Sequence, residues 1–212
     1  MSSHAVLLYY KQTLSHCFPL ILVVGREPNS TEPIDDSIGE YDWAKAPTGF
    51  WATANEVVAE VAGLGPAAYK AQCRARKASP VVISNAMRQS VPDGSGRQRR
   101  ERAAATKDLI AQHLANLFRH SELLSRVECV VFSGLEDDVF ATPRQGIEDY
   151  FQSAKKLSLP HMRNTNRTKI RTRLDEIPGA RAEIQRIFDH FKAATEPQAA
   201  TTHGTTSCPA RP

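Results

Sequence analysis

Residues 19–31 read PLILVVGREPNST. The apolar run is continuous rather than alternating, which marks a strand buried on both faces, as in a parallel sheet covered by helices. It stops at Gly25, and Arg26, Glu27, Pro28 and Asn29 follow at once. In open α/β sheets, ligands bind beyond the carboxyl ends of the strands. The stretch therefore predicts a fold class and a place to look for a site.

Three later segments repeat the pattern. PVVIS ends at Asn85, CVVFSG ends at Gly134, and the shorter LSLPH ends at His161. Helical periodicity separates them. Ala54, Val57, Val58 and Val61 predict a helix from about Phe50, ended by GLGP, with a short helix over residues 66–77. Leu109, Ile110, Leu114, Leu117 and Phe118 predict one over residues 101–119, LEDDVF opens another, and Ile184, Ile187, Phe188 and Phe191 predict a last one over 179–194. Val6, Leu7, Tyr10 and Leu14 fit one helical face, so residues 3–16 are expected to form a first helix. Residues 28–49, rich in Pro and Gly, read as loop. The expected fold is a three-layer α/β/α sandwich around a short, mostly parallel four-stranded sheet. One domain over residues 1–194 is expected, followed by a disordered tail over 195–212, which has no apolar period.

The 212 residues suit one sizeable domain, and 41% hydrophobic with 24% charged residues supplies an ordinary core. A net charge of +4 names no partner, but its distribution is uneven. Residues 88–107 and the run RNTNRTKIRTR over 163–173 are rich in Arg and Lys. Such runs contact phosphate in nucleic-acid-binding proteins, and elsewhere they are solvated helix faces or loops. Cys17, Cys73, Cys129 and Cys208 form no C-x-x-C pair, so a zinc or iron–sulfur site is not expected, and four independent thiols in a cytoplasmic chain are. No apolar run is long enough to cross a bilayer.

Several motifs fail on context. GLGPAA over 63–68 follows a helical pattern rather than a strand, so it is no dinucleotide fingerprint. The chain has no P-loop and no G-x-S-x-G. Glu136, Asp137 and Asp138 suit a helix start better than an ion site.

The order LILVVGREPN, GFW, VVISNA, VVFSG, LPHMRN resembles the uracil-DNA glycosylase superfamily over roughly residues 18–173. That superfamily is an α/β/α sandwich whose first strand leads into a G-x-[D/N]-P motif and whose last leads into a histidine motif. The resemblance implies a hydrolase of DNA repair that flips a uracil or related damaged base out of single- or double-stranded DNA and cleaves its N-glycosidic bond. It implies no metal, no redox cofactor and no membrane, and a monomer is expected. Glu27 then positions the attacking water, Phe50 or Trp51 stacks on the base, Asn85 reads its edge, and His161 stabilises it as it departs. Arg163, Arg167, Lys169 and Arg171 then grip the flanking phosphates. Met162 and Arg163 replace the proline and serine that commonly follow the histidine, and Asn29 stands where many members have glycine or tyrosine. These departures leave a second expectation: a glycosylase-fold module that binds a base, nucleotide or nucleic acid without cutting.

The residue types fit the chemistry. A carboxylate beneath the sugar stabilises developing positive charge, as in glycosidases. A histidine donor stabilises negative charge leaving with the base. An amide both donates and accepts, as a uracil edge requires. Each residue also has a plainer reading: Glu27 as a turn acid or partner of Arg26, Asn85 as a turn asparagine, His161 as a structural histidine, Phe50 as core.

Overall fold

A computed structural model describes residues 5–10, 12–26, 35–40, 50–86, 107–162 and 164–195. Its centre is a six-stranded sheet in the order β3-β1-β4-β2-β5-β6. The strands are β1 (Ala5–Tyr9), β2 (Leu20–Gly25), β3 (Asp35–Glu40), β4 (Val81–Asn85), β5 (Val127–Ser133) and β6 (Lys155–Leu159). Four of them, β4-β2-β5-β6, run parallel, and these are the four legible in the sequence.

Every residue of β2 and β4 is buried, as their unbroken apolar runs require. Fully burying a Leu, Ile or Val side chain contributes about 1.5–3 kcal/mol, so these central strands anchor the domain. The helices are α1 (Phe50–Val61), α2 (Pro66–Arg76), α3 (Lys107–Phe118), α4 (Ser121–Leu124), α5 (Ala141–Tyr150), α6 (Arg167–Glu176) and α7 (Ala180–Thr195). Helix α1 packs on α2 and α7, while α3 packs on α5 and β1, giving the α/β/α sandwich. Phe191 of α7 meets Phe18 edge-on at 5.2 Å, and Phe188 lies 5.7 Å from Tyr69 of α2. In the α3–α5 layer, Phe118 stacks on Tyr150 with centroids 4.0 Å apart.

Two expectations are corrected. Residues 3–16 do not form a helix: AVLLY is strand β1, followed by a 3-10 turn at Thr13–Ser15. Leu7 and Leu8 are buried, and β1 pairs antiparallel with β4 and parallel with β3. A short continuous apolar run satisfies either period, and the open edge of β4 decides for strand. Residues 28–49 are not all loop, because DDSIGE is the edge strand β3. Its composition is poor for a strand, and it is held by its ladder to β1 rather than by propensity. The sheet thus has six strands, not four.

The basic run over 163–173 is largely helix α6, with Ile170 and Leu174 buried one turn apart. The helix expected from LEDDVF begins as a 3-10 turn at Asp138–Phe140 and becomes α-helical at Ala141. Cys73 and Cys129 are free and buried. Cys17, exposed just before β2, is disulfide-bonded through a partner outside the described residues, so the expectation of four independent thiols fails where a thiol is accessible. Among the described residues, no helix is long and apolar enough to cross a membrane. The tail expected from residue 195 begins no earlier than 196, because Thr195 still closes α7 and is buried; residues 196–212 lie outside the described ones.

Candidate functional site

The parallel register sets the strand ends on one line. Gly25 pairs with Asn85, Val24 with Phe132, and Ser133 with Leu159. The chain goes from β2 outward to β4 and later returns past β2 to β5, so the sheet reverses direction between β2 and β5. Ligands bind at such a switch point. The residues just beyond it are Arg26 after β2 and Gly134 after β5.

His161 is carried back toward that point. After β6, the Met162 amide donates to Ser133 Oγ at 2.8 Å, and the Gly134 amide donates to Leu159 O at 2.9 Å. These two bonds fold residues 160–162 onto the end of β5. Met162 is 1% exposed and seals the core beneath its neighbour. The Asn166 amide then donates to His161 O at 2.8 Å, fixing the turn into α6. His161 itself sits against Gly134 and is half-buried.

Asn85 ends β4 and is 7% exposed. Its carbonyl oxygen accepts from His113 Nε2 at 2.7 Å and from Ser84 Oγ at 3.4 Å. A carbonyl only accepts, so His113 carries its proton on Nε2. Both of these bonds engage the backbone of Asn85, and among the described residues none engages its side-chain amide. His161 lies over the end of β5, two strands from β4, so it and Asn85 flank the end of β2.

Arg26 is the group that sequence reasoning noticed only as a companion of Glu27. Its Nη2 donates to Asp137 Oδ2 at 2.9 Å, and its guanidinium lies 4.9 Å from the centre of the Phe140 ring. The signal was its place directly after the last residue of β2. Asp137 lies at the helix start, but no side-chain cap bond is made there; its carboxylate goes to Arg26.

Two of the four basic residues expected on phosphate are engaged. Arg167 pairs with Glu56, and Arg171 Nε donates to Glu60 Oε2 at 2.6 Å. Both partners lie on α1, so the two helices run in the same direction and are linked by rungs one turn apart. A groove of about 220 Å³ lies between them, lined by Thr53, Glu56, Val57, Arg167, Ile170 and Arg171 among others. Lys169 faces solvent on α6. Glu27 and Arg163 lie outside the described residues, as do the side chains of Phe50 and Trp51, although both aromatic residues open α1 as expected.

Neither free thiol is a nucleophile at neutral pH, because burial pushes Cys73 and Cys129 up to about 12. Among the described residues, no cluster of three or more His, Cys, Asp or Glu could hold a metal ion. No protein-family model and no curated protein sequence matches the chain.

Proposed function

We propose that this chain is a glycosylase-like hydrolase that takes an extruded base, uracil or a related lesion, at the carboxyl edge of its sheet and cleaves the N-glycosidic bond. The observation that carries the reading is Asn85. Its amide has no hydrogen-bond partner among the described residues, although the residue is 7% exposed and its backbone is fixed from below by His113. An amide left open in this way can meet a ligand edge that both donates and accepts.

His161, across the end of β2 from Asn85, is the donor toward a base oxygen acquiring negative charge. Glu27, one residue past Arg26, is the carboxylate for the sugar and water. Phe50 or Trp51 stacks on the ring. The test is incubation with oligonucleotides carrying uracil, other damaged bases or normal bases, followed by alkali to reveal abasic sites. Cleavage at uracil or a related lesion alone supports the reading, and no abasic site on any substrate refutes hydrolysis.

One observation favours binding without cleavage as the second reading. Arg167 and Arg171, the expected phosphate grips, are engaged by Glu56 and Glu60, which weakens the hold on a long nucleic acid. Tight binding of uracil-containing strands without turnover would select it.

A further inference from the structure

The pair Arg26–Asp137 spans the switch point, joining the first residue after β2 to the loop after β5. It differs from the other arginine pairs near this edge in the exposure of the acid. The Asp137 side chain is 63% exposed, whereas Glu56, which holds Arg167, and Glu148, which holds Arg144, are 22% and 24% exposed. An ion pair with a solvated carboxylate is held weakly, because water replaces the lost partner.

The guanidinium is also underused. A guanidinium carries five N–H donors, and Arg26 spends one on a single Asp137 oxygen. Its Nε is buried and, among the described residues, has no hydrogen-bond partner. The Phe140 ring, its centre 4.9 Å from the guanidinium carbon, supports the group from one face. A phosphate offers several acceptor oxygens and takes such a fork two bonds at a time, which a lone carboxylate oxygen does not.

We propose that Arg26 recognises a phosphate of the substrate, and that Asp137 occupies the guanidinium until the phosphate displaces it. The preferred ligand is then a base still attached to its nucleotide phosphate rather than a free nucleoside. The identity of the phosphate's owner rests on the base-binding reading above; the exchange between Asp137 and phosphate rests on the geometry of the pair.

The test is calorimetric titration of deoxyuridine, deoxyuridine 5′-monophosphate and inorganic phosphate into the wild-type chain, Arg26→Gln and Asp137→Asn, with circular dichroism to confirm folding. The expected result is a monophosphate bound about tenfold more tightly than the nucleoside, the size of one charge-assisted contact. Arg26→Gln removes that advantage and Asp137→Asn enlarges it, while nucleoside affinity stays the same in both. A phosphate advantage that survives Arg26→Gln overturns the proposal. So does an Asp137→Asn variant that loses stability with no gain in phosphate affinity, which makes the pair a structural strap. Inorganic phosphate binding as tightly as the monophosphate overturns the nucleotide assignment. Nucleoside binding without any phosphate advantage refutes Arg26 and leaves the Asn85 reading standing; failure to bind either nucleoside or monophosphate refutes both.

Discussion

A β-carbon built on Gly134 falls 2.7 Å from the Cβ of His161 and 3.0 Å from its Cα, and Gly134 has φ +69°. Two independent constraints thus meet at this residue: a left-handed backbone and a close approach to the candidate donor. Gly134→Ala is expected to destabilise the fold by about 1–3 kcal/mol and to push His161 outward. Urea unfolding measures the first effect. The second appears as a change in the His161 ring resonances relative to those of the other histidines.

His161→Ala removes the proposed donor while leaving the backbone bonds at Ser133 and Asn166 in place. Stability should change little. Cleavage should fall by about 10²–10³, the usual effect of deleting one oxyanion donor. Single-turnover rates on a uracil-containing strand give the answer, and an unchanged rate makes His161 structural.

Asn85→Asp replaces a group that donates and accepts with one that only accepts. Uracil binding should be lost, and a base that donates from its exocyclic position, such as cytosine, should be tolerated. Asn85→Ala should weaken recognition by on the order of 1–3 kcal/mol without that switch. Equal behaviour of wild type and both variants toward all bases would return Asn85 to the role of a turn residue.

The rungs between α1 and α6 predict an inversion of the usual arginine result. Because Glu56 and Glu60 engage them, neutralising Arg167 or Arg171 should hardly alter the salt dependence of nucleic-acid binding. Glu56→Gln with Glu60→Gln should instead raise affinity at low salt and steepen the slope, as released arginines displace counterions. The stability cost of losing each exposed pair is expected to be below about 1 kcal/mol.

The buried thiols predict a pH dependence of stability. Burial holds their folded pKa at about 12, above the ordinary 9.0 of a free thiol, so the folded chain holds protons that the unfolded chain releases. Their contribution is complete below pH 9 and is lost as pH rises toward 12. At pH 10.5 the loss is about 2 kcal/mol per thiol. Urea midpoints between pH 8 and 10.5 should fall less steeply for Cys129→Ala than for wild type. Parallel slopes would show that the thiol does not titrate differently in the two states.

The parallel core was legible because β2, β4 and β5 carry apolar runs ending in Gly or Asn, and β6 a short LSL before its Pro-His turn. The outer half was not. AVLLY carries five residues that satisfy both periods, and DDSIGE carries almost no strand signal; tertiary pairing decided both. The convergence of the strand ends was legible for the same reason as the core, since parallel register follows from the topology. Arg26 was not, because its significance depends on Asp137 and Phe140, more than a hundred residues away. Nor was the engagement of Arg167 and Arg171, because helical spacing alone does not say which helix a basic face meets. His113 was likewise invisible, since only the packing of α3 brings it beneath Asn85.

Strand β1 has a consequence for how the domain assembles. It is the sole link between edge strand β3 and the rest of the sheet, and its inner neighbour β4 lies more than seventy residues later in the chain. During synthesis, β1 leaves the ribosome before either strand that it pairs with. Its apolar residues must wait in water or in a chaperone's grasp, and closing so long a loop slows folding. Damage to β1 therefore removes two strands at once and leaves β4 as an unprotected edge, open to pairing with a second chain.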